Sequence, residues 1–179
     1  MVYSPKQWNV IDRVVVERMV LAPPFQPDFV TATEPRFVHV HSGSFSLGQV
    51  KADRLDSLLI HGASTNWQLQ PHTQPVEVLV VNFDAELLRY AFRNGAPQID
   101  WSGATPPENP IAVVAHDAVL ANYLTSIDYY FEHPEQCNEE LVLLKMKEAL
   151  CLLLHGGYEQ TVKSIFAHAF AGAASGSPS

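Results

Sequence analysis

Hydrophobic positions repeat with two different periods along the chain, and the change falls just after residue 83. Before it, apolar residues alternate with polar ones or form short blocks bounded by turn formers, the pattern of half-buried or buried strands. Residues 10–22 (VIDRVVVERMVLA) are valine-rich and stop at Pro23-Pro24. Residues 36–41 alternate, and Ser42-Gly43-Ser44 turns them into 45–50. Residues 57–61 stop at Gly62, 65–70 stop at Pro71, and 76–83 (VEVLVVNF) form the clearest strand. Strands at this spacing predict a barrel or sandwich, and no self-similarity of repeat length is present.

Beyond residue 83 the period is helical. Asp84 is placed to cap a short helix over 85–94, which Gly95 and Pro97 end. The proline-rich stretch 95–110 reads as a loop joining two halves. Asp117 then caps a longer helix, with Pro134 beyond its end. A second helix runs over 138–155 with Glu139 and Glu140 favourably placed in its first turn. Gly156-Gly157 breaks it, and a third helix covers 158–170. Leu120, Leu124, Ile127 and Phe131 make a heptad-like seam on the first of these, and Leu143, Met146, Leu150 and Leu153 make one on the second. The predicted organisation is a strand-built subdomain over 1–110, a helical one over 111–170, and a small-residue, linker-like tail over 171–179. Strands first and helices second is an α+β arrangement.

Composition narrows the function. The 179 residues are enough for one domain with a sizeable core. Charged residues are only 17%, against roughly 25% in ordinary soluble domains, which suggests that part of the surface is covered by another protein. The net charge of −8 is concentrated late: residues 101–179 hold 3 Lys/Arg and 9 Asp/Glu. An acidic chain has no footprint for phosphates, so it is not expected to bind DNA by itself. Cys137 and Cys151 are too few for a disulfide framework, and Cys151, in an apolar run, reads as a small buried hydrophobe. The N-terminus carries no apolar export signal, and no apolar run reaches the roughly 18 residues of a membrane span. A cytoplasmic location without a membrane partner is the expectation.

Several strings then resemble one family. They are FVHVHSGSFSL (37–47), SLLIHGAS (57–64), VEVLVVNFDAELL (76–88) and the leucine-rich ELVLLKMKEALCLLLH (140–155). Four segments in this order, spanning roughly residues 10–160, resemble the N-terminal regulatory domain of AraC-family bacterial transcription regulators. Within that family the strings look most like the branch that includes activators of type III secretion genes. The resemblance implies a cupin-like β-barrel of jelly-roll type, sometimes holding an effector, followed by helices that form a dimerisation element. It also implies a second, DNA-binding domain, absent from this sequence, so that DNA is a partner only through that domain. The chain reads as the regulatory half of such a protein, with a small-molecule effector or a protein antagonist as further partners.

The candidate chemistry is modest. His39 and His41 flank Val40, so alternation places both rings on one strand face with Phe37. In cupin enzymes an HxH pair supplies two metal ligands, but Phe45 stands where the downstream Glu belongs, and His61 and His72 would serve only if the barrel turned them inward. The pair therefore stands as ordinary strand histidines, as polar contacts to an organic effector, or as metal ligands. Arg13, Arg18 and Arg36 lie among apolar neighbours. A guanidinium pointing into the barrel would suit an anionic effector, and the alternative is pairing with Asp12, Glu17 or Glu34. The candidate effector residues are Arg36, His39, His41 and Trp67, with Trp101 either lining a pocket or filling core. No nucleophile elbow, P-loop, zinc spacing or dinucleotide fingerprint occurs, so no enzymatic activity, metal or cofactor is expected.

On the second long helix, Leu141, Lys145, Glu148 and Leu152 fall on one side at 100° per residue. Two copies set antiparallel about a two-fold axis would place Leu141 against Leu152 and Lys145 against Glu148, the self-complementarity of an isologous homodimer. The alternative is an exposed face with two stray leucines. The leading function is an effector-sensing and homodimerising regulatory module. The competing readings are a small metal-dependent cupin enzyme and a stand-alone small-molecule-binding protein.

Overall fold

The structure, a computed structural model, describes residues 6–21, 34–62, 68–95 and 97–171. Nine strands are present among them: β1 (Lys6–Val10), β2 (Arg13–Leu21), β3 (Arg36–Ser42), β4 (Phe45–Leu47), β5 (Val50–Ala52), β6 (Ser57–Ile60), β7 (Leu69–Pro71), β8 (Val76–Asn82) and β9 (Ile111–Val114). The helices are α1 (Ala85–Ala91), α2 (Ala118–Glu132), α3 (Glu139–His155) and α4 (Glu159–Phe170), with a 3-10 turn at Pro134–Gln136. All strand pairing is antiparallel: one sheet runs β1-β2-β8-β3-β6-β9 and a smaller one β5-β4-β7.

The two sheets enclose one apolar interior, the cupin-like arrangement expected. Strand alternation sorts the residues. Val38, Val40, Leu58, Val76, Val78 and Val80 of the large sheet meet Phe45, Leu47 and Ala52 of the small one. The other face of the large sheet carries Trp8, Val16, Phe37, Leu59, Leu79 and Val81, and these pack under the helices. Central β8 is buried on both faces, which is why VEVLVVN reads as a near-continuous apolar run. The chain passes from the large sheet to the small one between β3 and β4, through Gly43. Its φ is +80°, and a Cβ there would lie 2.7 Å from the Pro75 carbonyl oxygen and 2.8 Å from Thr73 Oγ1. Only glycine fits that corner.

Three details differ from the sequence expectation. The described part of residues 10–22 is not one strand: Val10 ends β1, and 13–21 are β2, the second half of a β1–β2 hairpin. Ile11 and Asp12 both take left-handed φ (49° and 60°), the geometry of a two-residue hairpin turn, without the Asn-Gly that would have announced it. Residues 45–50 fold back on themselves at Gly48 as β4 and β5. Residues 111–114, assigned by sequence to the helical half, are β9, an edge strand paired with β6. Residues 63–67 and 172–179 lie outside the described residues, and with them Trp67 and all of the expected tail but Ala171.

Helix boundaries follow their caps. Asp84 Oδ1 accepts from the Glu86 and Leu87 amides, Asp117 from the Leu120 amide and Asn138 from the Leu141 amide. The seams expected on α2 and α3 are buried, including Ile127, Phe131, Met146 and Leu150. Tyr123 donates to the Lys145 carbonyl at 3.0 Å and holds the two helices in register.

Candidate functional site

The large sheet and the α2–α3 pair meet along a seam that holds His39, His41, His116 and Asp128. His39 is buried on the helix-facing side of β3, beside Leu79 of β8 and Ser57 of β6. Its Nδ1 lies 2.8 Å from Ser57 Oγ. The His41 ring is 5.1 Å away and the His116 ring, on the β9–α2 linker, 6.2 Å. Desolvation first, then the neighbouring His41 and His116, push the His39 pKa down to about 4. His41 Nε2 faces Asp128 Oδ1 of α2 at 3.3 Å, and Arg18 Nη1 lies 3.7 Å from the same oxygen. Burial works to raise the Asp128 pKa, but His41 and Arg18 outweigh it and hold the carboxyl below its ordinary value. The HxH pair is thus turned away from the barrel interior, towards the helices.

The other histidines do not join it. His61 Nε2 pairs with Ser164 Oγ of α4 at 3.1 Å, and His72 Nε2 with Ser46 Oγ of the small sheet at 2.6 Å. Among the described residues no three His, Cys, Asp or Glu side chains are arranged to hold a metal ion.

Arg36 lies at the start of β3, away from the two histidines. It is buried and lines a polar cleft of about 350 Å³ with Arg13, Asp12, Glu17, Glu34 and Asp84. Four carboxylates against two guanidinium groups make this a poor place for an anion. Arg13 is already paired with Asp84 at 2.7 Å and with Glu86. The structure therefore brings His39 and His41 together and separates Arg36 from them. Trp101 packs against Phe166 and Phe170 of α4, with ring centroids 6.0 and 5.7 Å away.

The stripe on α3 also differs from its expected form. Lys145 is buried: its ammonium donates to Ser126 Oγ at 2.7 Å and to Glu148 at 2.8 Å of the same chain. It also sits 5.7 and 6.0 Å from the Tyr123 and Tyr130 rings. The pairing drawn across a two-fold axis is made within one helix, because α2 covers that side of α3. Leu141 and Leu152 are half-buried, whereas Leu144 (57% exposed) and Cys151 face solvent, so Cys151 is not a core residue.

Sequence reasoning missed His116, Asp128 and Tyr158. Asp128 did leave a signal, as the one charged residue in AVLANYLTSIDYYF (118–131). Tyr158, just after the Gly-Gly break, donates through its hydroxyl to the Val113 carbonyl at 2.9 Å and accepts from the Ala115 amide at 3.0 Å. It braces the free edge of β9. Replacing Tyr158 with Phe is expected to cost about 1 kcal/mol in urea unfolding, the net value of such bonds near solvent.

Beside Tyr158 an apolar crevice of about 60 Å³ opens between the end of β9, the start of α2 and the end of α3. Phe37, Leu120, Tyr123, Leu152 and Leu153 line it, together with Val119 and Asp117.

Among solved structures the chain resembles two crystal structures of ToxT from Vibrio cholerae. Against an apo, singly substituted form it shows 11% identity and a TM-score of 0.46, covering 72% of this chain and 49% of that one. Against the wild type bound to an unsaturated fatty acid the values are 12% and 0.46, covering 75% and 50%. The chain spans about half the length of these solved chains. No curated protein matches it significantly. Residues 38–165, from β3 into α4, match the model of the ExsA N-terminal regulatory domain. That match takes in most of the sequence, and the chain belongs to this family of regulatory domains of AraC-type transcription regulators.

Proposed function

We propose that this regulatory domain is the input half of a cytoplasmic, DNA-binding activator, that it has no catalytic activity, and that it works as a homodimer. A small-molecule effector or a protein antagonist shifts the arrangement of the α2–α3 pair on the sheet, and this changes how two DNA-binding domains, carried elsewhere on the full-length protein, are presented. The observation that carries this reading is the asymmetry of the helical pair. One side of α3 is locked to α2 and the sheet through Met146, Leu150 and Lys145, while the other presents Leu144 and Cys151 to solvent. Leu141, Glu148 and Leu152 flank that outer face and belong to the proposed dimer surface. Lys145 supports it from beneath.

Replacing Leu141 and Leu144 together by Glu is expected to leave a folded domain that sediments as a monomer where the wild type sediments as a dimer. Leu144 is exposed and Leu141 only half-buried at the rim of α3, and neither belongs to the buried core. A wild-type chain that is monomeric at high protein concentration would contradict the dimer. Near-stoichiometric iron, manganese or zinc in the purified protein would instead favour the metal-dependent enzyme. His39, His41 and Arg36 remain proposed contacts of an effector. The two histidines are better placed to report on the sheet–helix seam than on the barrel interior, since they touch Asp128 and lie beside His116.

A further inference from the structure

We infer that the crevice beside Tyr158 is a binding site for the short alkyl end of an amphiphile whose head is neutral or cationic. The inference rests on the effector-sensing reading above and names a place and a chemistry for it.

At the junction of three elements, about 60 Å³ remains open. A single water needs roughly 10–15 Å³ by this measure, and an engineered apolar cavity of about 150 Å³ takes benzene. The crevice therefore suits a few carbons in a row, and its mainly apolar lining gives an alkyl chain a place out of water. Tyr158 contributes a ring wall while its hydroxyl is spent on Val113 and Ala115, so the interior offers an alkyl chain contact without demanding a polar partner. Val119, at 57% exposure, is apolar surface with no cover.

Charge selects the head group. Among the described residues that line the crevice, Asp117 is the only carboxylate or cationic side chain. Its Oδ1 caps the α2 amide of Leu120 at 2.8 Å, which offsets the positive end of that helix dipole. A carboxylate head would stand beside this acid on a chain of net charge −8; an alcohol would not be repelled, and an ammonium would be attracted. The position explains how occupancy would be felt. One ligand would touch Phe37 on β3, the end of β9, Leu120 on α2 and Leu153 on α3. Filling the gap favours the arrangement of sheet and helices that fits it.

The test uses hexylamine, hexan-1-ol and hexanoate as probes, followed through the leucine and valine methyl signals of the whole chain by NMR. Saturable shifts confined to Val114, Val119, Leu120, Leu152 and Leu153 are expected, with hexylamine about five- to tenfold tighter than hexanoate. Asp117→Asn, which keeps the cap, is expected to remove that preference. Ala149→Leu fills the crevice from α3 and should abolish binding. If it fails to fold, Val119→Trp closes the mouth from an exposed position and should do the same. The site is refuted if no probe gives saturable shifts there, if hexanoate binds best, or if Val119→Trp binds as wild type. Probe binding with no change in dimer population would leave the site standing and count against the regulatory reading alone.

Discussion

Truncating either Trp8 or Phe131 to Ala is expected to cost about 3–5 kcal/mol, the usual range for a large aromatic lost from a core. Trp8 lies on edge strand β1 and Phe131 near the end of α2, and their rings stack with centroids 4.4 Å apart at 24°. Both are buried. The contact fastens the first strand to the helical layer, so each loss is felt by both. In a double-mutant cycle the combined cost should fall short of additivity by about 1 kcal/mol, the share belonging to the ring pair itself. Urea unfolding followed by fluorescence and circular dichroism measures it. A cost under about 1 kcal/mol for Trp8→Ala would mean that β1 is not part of the cooperative fold.

Acid should be the second strong perturbation. Burial and two histidine neighbours take the His39 pKa from its ordinary 6.5 to about 4. The unfolded chain therefore binds a proton that the folded chain refuses throughout that window. Stability is fully present above pH 6.5 and falls as the pH drops towards 4. The loss from this group is on the order of 3 kcal/mol. His61, lowered by its own burial, acts in the same direction. His39→Asn keeps a polar partner for Ser57 and cannot titrate. Its stability between pH 7 and pH 4.5 should fall clearly less than that of the wild type. Equal slopes would show that the protons are taken up elsewhere.

The strands and helices were largely legible because their residues alternate or repeat to suit one buried face, and because Asp84, Asp117 and Asn138 mark helix starts by local chemistry. What escaped notice depends on pairing rather than on local pattern. The four residues of β9 directly follow a proline-rich stretch and become a strand only because β6 offers them an edge. Ile11 and Asp12 make a left-handed turn because the flanking strands demand it.

The candidate site divides in the same way. That His39 and His41 share a face follows from a two-residue period, and the resemblance to AraC-type regulatory domains rests on strings that can be quoted. Which face they occupy does not follow from sequence, because a strand buried on both sides carries apolar residues at odd and even positions alike. Packing settled it. The helices lie on the odd-numbered side of β3, so Val38 and Val40 fill the barrel while His39 and His41 meet Asp128 and His116. The same holds for Lys145, whose helical angle was known but whose covering by α2 was not. A periodicity reports that two side chains point the same way; what they point at is set by elements distant in the chain, whose arrangement no single stretch of residues encodes.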